Sequence, residues 1–438
     1  VAGGREESNE VEFEIQKVGV ARWLGAGAGE YQSVDPAKET REVASQLWDL
    51  VSLVCPLGKA EGLTELERED DPHACAAARE RLVGLRVQAT GRQGHDGKNF
   101  PGAMPVNLCR RHLPLVQKAD YYVTEKTDGV RYLMVGTEKT VVLVDRKMQC
   151  FRMPGGLQLA SIFESGTVLD GELTYNRTLK RQVFIAFDLL TWGPDSYMNN
   201  KFEERLDVLG RRVFEIYNQA ITNRQLDIQT TTPLVKKEFW PRREIRKLMR
   251  HFREEGEDRV FLNEQSPGKR HHRSDGIIFQ PNTPYEVGTH KELLKWKWMD
   301  TVTIDLEVTM HRRDGNIMLS CTGPGGSKID VTNLVVLAQS DEMRLMADMQ
   351  EHQGDITVAE IAFDTDTGMW TYKMLRPDKN SSNFVGTVMS TMIELAEGIG
   401  PEELQFRMSI SHPSKDDWST HFKKMKGKLT QWRLENPV

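Results

Sequence analysis

Lys126-Thr127-Asp128-Gly129-Val130-Arg131 sits between two β-prone runs, Tyr121-Tyr122-Val123 and Tyr132-Leu133-Met134-Val135. These flanks place Lys126 where a strand ends. Asp-Gly alone is a common hairpin pair, and a lysine beside it usually faces water. The reading changes because further short motifs follow in a fixed order. A lysine amine with a free pKa of roughly 10.4 is a poor nucleophile, so a reactive one needs cationic neighbours or a bound metal to release its proton.

Leu169-Asp170-Gly171-Glu172 reads as a strand end that presents a carboxylate after a tight glycine turn, suited to a ribose hydroxyl or a metal. Phe187-Asp188 closes the apolar strand that begins at Val183. A ring there either packs in the core or stacks on a purine, a contact of roughly 1 to 3 kcal/mol. Ser274-Asp275-Gly276-Ile277-Ile278-Phe279 supplies another carboxylate beside a β-run, and Leu293-Leu294-Lys295-Trp296-Lys297-Trp298 alternates lysine with tryptophan. Period-two spacing puts both lysines on one strand face, suited to an α-phosphate and to lowering the pKa of Lys126. Arg376-Pro377-Asp378-Lys379 gathers three charges late in the chain.

The 438 residues suffice for two or three domains, and 58 basic against 64 acidic residues leave a net charge of -6. Nucleic acid would therefore meet local basic patches, not a bulk polycation. One is an amphipathic helix with Ile245, Leu248, Met249 and Phe252 on one face and Arg242, Arg243, Arg246, Lys247, Arg250 and Arg253 on the other, a face read first as solvated and otherwise as an RNA contact. The other is Lys269-Arg270-His271-His272-Arg273, read first as a solvated loop and otherwise as an RNA-steering or nuclear-import patch. The five scattered cysteines lack metal-binding spacing and suit a reducing compartment. No apolar run is long enough to span a bilayer.

Residues 1–34 read as a loosely ordered leader, 43–54 and 74–85 as helices, and 65–71 as an acidic run between them. From Phe100 the chain becomes sheet-rich, with strands at 140–144, 167–169 and 183–187. Segments 301–309, 315–321 and 356–363 read as a second, five-stranded β-domain. Helical spacing returns at Val385, Val388, Met389, Met392 and Ala396, and at Trp418, Phe422, Met425, Leu429 and Trp432.

The ordered motifs resemble those of GTP-dependent messenger-RNA capping enzymes, the guanylyltransferase branch of the covalent nucleotidyltransferases that also includes ATP-dependent DNA and RNA ligases. The resemblance runs from about Phe100 to about Leu395 and includes the lead-in Phe100-Pro101-Gly102-Ala103-Met104-Pro105-Val106. Asp275-Gly276 stands where ligases typically carry Glu-Gly. The resemblance implies an α/β (α+β) fold with an antiparallel-sheet nucleotidyltransferase domain (99–300), a C-terminal OB-fold domain (301–400) and a helical tail (401–438); the N-terminal extension (1–98) reads as packing helices or a docking arm.

It also implies that Lys126 forms a covalent lysyl-N-GMP bond, that Thr127 contacts the nucleotide, that Arg131 and Glu172 contact the ribose, and that Phe187 stacks on guanine. Lys237, or its neighbour Lys236, would read the base, and Lys295 and Lys297 would hold the α-phosphate. Arg376, Asp378 and Lys379 would reach across from the second domain to the β- and γ-phosphates. Asp275, with Glu172, would hold Mg²⁺ or Mn²⁺. Asn380-Ser381-Ser382-Asn383 departs from relatives that place proline before the asparagine.

GTP would be the donor substrate and 5′-diphosphate RNA the acceptor, with an RNA triphosphatase, a cap methyltransferase and RNA polymerase as partners. The nucleus is the implied location, or the cytoplasm if the capping system is viral. Two rivals are an ATP-dependent polynucleotide ligase and an inactive docking module of a capping complex.

Overall fold

A computed structural model describes residues 64–92, 100–256, 258–266, 269–310, 317–352, 357–364 and 367–435. The leader at 1–34 and the helical pattern at 43–54 lie outside them. The strands are β1 (Ala103–Asn107), β2 (Tyr121–Thr127), β3 (Val130–Gly136), β4 (Val141–Val144), β5 (Cys150–Arg152), β6 (Val168–Asn176), β7 (Arg181–Trp192), β8 (Asp195–Ser196), β9 (Leu234–Lys236) and β10 (Trp240–Pro241). They continue as β11 (Phe252–Glu255), β12 (Asp258–Asn263), β13 (Arg270–Pro281), β14 (Gly288–Lys297), β15 (Thr303–Met310), β16 (Ile317–Thr322), β17 (Lys328–Asp330), β18 (Val358–Asp364) and β19 (Met369–Leu375).

Two seven-stranded sheets carry residues 100–297. One runs β1-β14-β13-β12-β11, with β2 between β13 and β10; the other runs β5-β4-β3-β6-β7-β8, with β9 on β7. Pairing is antiparallel except for β1 with β14 and β9 with β7, so the expected mixed helix-and-sheet class with mainly antiparallel sheets holds. The Asp128-Gly129 turn is not a hairpin. It carries the chain from β2 in the first sheet to β3 in the second, whose partners are β4 and β6.

The second sheet is buried on both faces, which explains why Val141-Val142-Leu143-Val144 is apolar throughout instead of alternating. Met134, Leu143, Leu169 and Phe184 pack against the helical residues Leu209, Val213 and Tyr217. Leu133, Val135, Val142 and Val168 pack on Ala74, Ala78, Leu82 and Leu85 of helix Pro72–Thr90. That helix, read from sequence as a packing helix or part of a partner-docking region, thus completes the core on this face of the sheet, and Arg81 ties it to the carbonyls of Gly166 and Gly193.

The remaining sheet runs β17-β16-β15-β18-β19 and is antiparallel throughout. Helix Gln339–Glu351 falls between β17 and β18 in the chain. Helix Val385–Glu397 packs Val388 into the same core. The chain then returns to the first sheet, where Ile399, Leu404 and Met408 join Phe279, Leu294 and Trp296, and the Trp296 indole donates to the Ile399 carbonyl at 2.8 Å. The β-domain is therefore anchored beside β14 at both its entry and its exit.

Both basic patches are corrected. The expected amphipathic helix is a turn at Arg242–Glu244, a short helix at Ile245–Met249 and then β11. Ile245 and Leu248 need only one turn to reach the core, and Arg242 is buried, donating to the carbonyls of Gln117, Met408 and Ile410. The expected solvated loop at 269–273 is largely the start of β13, with Arg270 and His272 fully buried.

Gly276 is required by proximity, since a Cβ there would lie 1.9 Å from the Trp296 carbonyl oxygen. Gly84, inside helix Pro72–Thr90, has nothing within 4 Å of such an atom. Gly276→Ala should therefore destabilise by about 1–3 kcal/mol or more, whereas Gly84→Ala should stabilise by up to about 1 kcal/mol; thermal melting of the two variants checks the opposite signs.

Candidate active site

A cleft between the two sheets is lined by Lys126, Thr127, Arg131, Arg146, Glu172, Phe187, Lys237 and Tyr285, among others. Lys126 enters it from β2, and its amine donates to Asp275 Oδ1 at 2.7 Å. Lys297 reaches the other oxygen of the same carboxylate at 2.9 Å. The register explains the aim: Ser274 pairs with Thr127 and Gly276 with Lys126, so Asp275 is the extra residue of a β-bulge and is re-aimed by it. Lys295 and Lys297 share a strand face as expected, with buried Trp296 on the other.

Phe187 owes its position to the same device. Asp170 pairs with Asp188 and Gly171 with Ala186, leaving Phe187 unopposed. Its half-buried ring faces the cleft, with the Arg131 guanidinium 5.6 Å and the Lys237 ammonium 5.8 Å from its centre. The expected turn before Glu172 is absent. Gly171 lies inside β6, where a Cβ would meet the Phe184 ring at 2.3 Å, so Glu172 projects from mid-strand and pairs in register with Arg131.

Arg131 is the most tethered of the expected ligand contacts. It donates to both oxygens of Asp170 at 2.9 and 2.6 Å and to the Ala103 carbonyl at 2.5 Å. Tyr285 also donates to Asp170, at 2.6 Å. Lys237, not Lys236, faces the cleft, donating to Thr127 Oγ1 at 2.7 Å. Lys236 instead points toward Gly210.

Arg376, Asp378 and Lys379 lie outside the cleft lining. Arg376 pairs with Asp305 at 3.1 Å, Glu360 at 3.0 Å and Asp378 at 2.8 Å, and Lys379 also pairs with Asp305. Sequence reasoning missed Arg146, which lines the cleft and has no hydrogen-bonded or ion-paired partner among the described residues. Its signal was its place at the end of the apolar β4 run. Tyr285 gave no signal.

The charge balance at Lys126 corrects an expectation. Burial alone would lower its pKa, but Asp275 and then Glu172 outweigh burial and raise it. Lys295, in contrast, is brought down to about 8 by burial and by Lys297 and Lys126. Glu394, on helix Val385–Glu397, opposes that shift; burial pushes its own carboxyl up to about 7.

Residues 68–299, just over half of the chain, match the sequence model of the mRNA capping enzyme catalytic domain. The chain belongs to that family. It is 27% identical to the mRNA-capping enzyme subunit alpha of Neurospora crassa over 80% of this chain and 94% of that one. Identity to the mRNA-capping enzyme subunit alpha of Schizosaccharomyces pombe is also 27%, over 76% and 86% of the two chains. A mycobacterial DNA ligase D structure complexed with ATP and MES is similar over 64% of this chain and 96% of its own, at 16% identity and a TM-score of 0.35.

A carboxyl whose folded pKa of about 7 exceeds its ordinary 4.5 favours folding below 4.5, and that contribution is lost as pH rises through 7. Glu394→Gln removes this dependence, so the variant should gain stability relative to the native chain between pH 4.5 and pH 7. It should also lower the Lys295 pKa further. Melting curves across pH and lysine-resolved NMR titration check the two effects.

Proposed function

We propose that this capping-enzyme chain transfers GMP from GTP through a covalent bond to Lys126 and then to a 5′-diphosphate RNA end. The observation that carries the reading is the convergence of a lysine nucleophile, a stacking ring and a buried ammonium in one cleft: Lys126, Phe187 and Lys237. In the first step the Lys126 amine attacks the α-phosphorus, the bond to the β-phosphate oxygen breaks and pyrophosphate leaves. In the second, a terminal oxygen of the RNA diphosphate attacks the same phosphorus and the nitrogen–phosphorus bond breaks, giving a 5′-5′ triphosphate cap.

Lys126 must lose its proton first. Burial favours the neutral amine against Asp275 and Glu172, so relieving the Asp275 contact as nucleotide enters removes the larger of the two carboxylate effects that hold the proton. Phe187 supports the guanine, and Lys237, with Thr127 beside it, meets the base edge. Lys295 and Lys297 neutralise the α-phosphate, while Arg131 and Glu172 border the ribose. Chemistry of this kind depends mostly on positioning and charge neutralisation, which suits a site built from lysines and carboxylates.

No cluster of three or more metal-ligating side chains occurs among the described residues. Asp275 and Glu172 nevertheless fit Mg²⁺ or Mn²⁺, because such ions are commonly held by one or two carboxylates together with substrate phosphates. The ion would supply further charge neutralisation. Arg376, Asp378 and Lys379 would serve the β- and γ-phosphates after leaving Asp305 and Glu360, making domain closure part of the first step. An RNA triphosphatase, a cap methyltransferase and RNA polymerase are the partners this role calls for, and the nucleus its location.

Incubation with α-³²P-labelled GTP or ATP and Mg²⁺ or Mn²⁺, followed by a denaturing gel, tests the reading. GTP should leave a label on the native chain and none on Lys126→Ala. An ATP-only label would make the chain a ligase, and a label surviving in Lys126→Ala would remove Lys126 as the nucleophile.

A further inference from the structure

Glu125 precedes the nucleophile by one residue and, by strand alternation, faces away from it. Its carboxylate is fully buried yet surrounded by donors. Arg270 forms an ion pair with it, Lys237 Nζ lies at 3.5 Å, and the Thr124 hydroxyl donates at 2.9 Å. His272 Nε2 is also 3.5 Å away. Arg270 turns a second arm to Glu238 at 3.3 Å, and Glu238 accepts from Asn263 at 2.6 Å. This cluster lies behind the cleft and includes a residue exposed to it, Lys237.

The Lys237 ammonium carries three N–H donors. One goes to Thr127 and another is directed at Glu125. The third is available to a planar base lying on Phe187, whose ring centre is 5.8 Å away. Guanine offers an acceptor at O6, where adenine offers an amino donor, and a protonated Lys237, which has donors and no acceptor, favours guanine. Burial works against that state: Lys237 is 3% exposed, and burial brings its pKa down, with Arg270 adding to the fall, against the opposing pull of Glu125 and Glu172.

We propose that Glu125, clamped by Arg270, is a positioning residue that keeps Lys237 protonated and aimed at a 6-oxo purine, and that it thereby sets the choice of GTP over ATP. The inference rests on the guanylyl-transfer reading above. Arg270 then has a structural purpose that an exposed basic loop would not: it holds the buried carboxylate in place. Burial and neighbouring cations take His272 down to about 4, even though Glu125 opposes them. The imidazole is thus neutral, and the formal charge facing Glu125 comes from Arg270 and Lys237.

The experiment compares rates of covalent labelling of the full chain by GTP, ITP and ATP, with KM and kcat resolved for each. ITP shares the 6-oxo group of GTP and lacks its 2-amino group. Glu125→Gln should raise KM for GTP and ITP together by about tenfold or more, the scale of one lost charge-assisted hydrogen bond, with little change in kcat. The ATP value should not rise with them, so discrimination against ATP narrows by the same factor. In a Lys237→Met background the Glu125 substitution should have no further effect on the nucleotide ratio, because its route is gone.

Glu125→Gln leaves Arg270 without its buried partner and is at risk of misfolding. Glu125→Gln with Arg270→Met removes both charges while retaining Lys237, and the same narrowing is expected. Equal losses for all three nucleotides, an unchanged GTP-to-ATP ratio, or failure of the double variant to fold would each overturn the proposal and leave Glu125 a folding anchor. A native chain that takes no label from GTP would instead overturn guanylyl transfer itself.

Discussion

The carboxylate of Asp275, shared between Lys126 at 2.7 Å and Lys297 at 2.9 Å, is the contact on which the site depends. It joins the central strand β13 to both of its neighbours, since Lys126 lies on β2 and Lys297 ends β14. The contact exists because the bulge at Asp275 inserts a residue without a cross-strand partner, and because Gly276 lets the β14 backbone approach. One carboxylate between two ammonium groups leaves a net positive charge, a suitable field for an entering triphosphate.

Around this contact the cleft walls and the β-domain are held by different sets of ion pairs. The cleft walls are fixed by buried ion pairs: Arg131 with Asp170, Arg205 with Asp188, and Arg270 with Glu125. Breaking such a pair on one side strands the other charge in a low-dielectric interior, so these walls resist deformation. The Arg376 cluster is held differently. It rests on buried Asp305 and on Glu360 within the β-domain, and Asp378 is largely exposed. The anchors beside Trp296 confine where that domain joins the first sheet.

Much of this was legible locally. Period-two spacing correctly put Lys295 and Lys297 on one face, and Tyr121-Tyr122-Val123 and Tyr132-Leu133-Met134-Val135 are strands. The basic segments at 242–253 and 269–273 were misread because charge is a good guide to exposure only where no buried partner exists, and Glu125 and the carbonyl of Met408 lie far away in sequence. Helix Pro72–Thr90 was separated from the catalytic domain because its alanine-rich buried stripe is a weak hydrophobic signal. The Lys126 pKa was expected to fall because the motif pattern shows the cations and gives no distance to Asp275.

The sequence alone determined the chemical inventory and its order: a lysine beside Asp-Gly, carboxylates beside glycines, paired lysines on one strand face and the mixed helix-and-sheet class. These follow from residue type and spacing, which act within a few residues. Tertiary structure alone decided which groups meet and in what charge state. Strand register places Asp275 and Phe187 at bulges, and burial sets Glu125 against Lys237 and Arg270. Desolvation and Coulomb energy depend on distance in space, and sequence separation carries no measure of it.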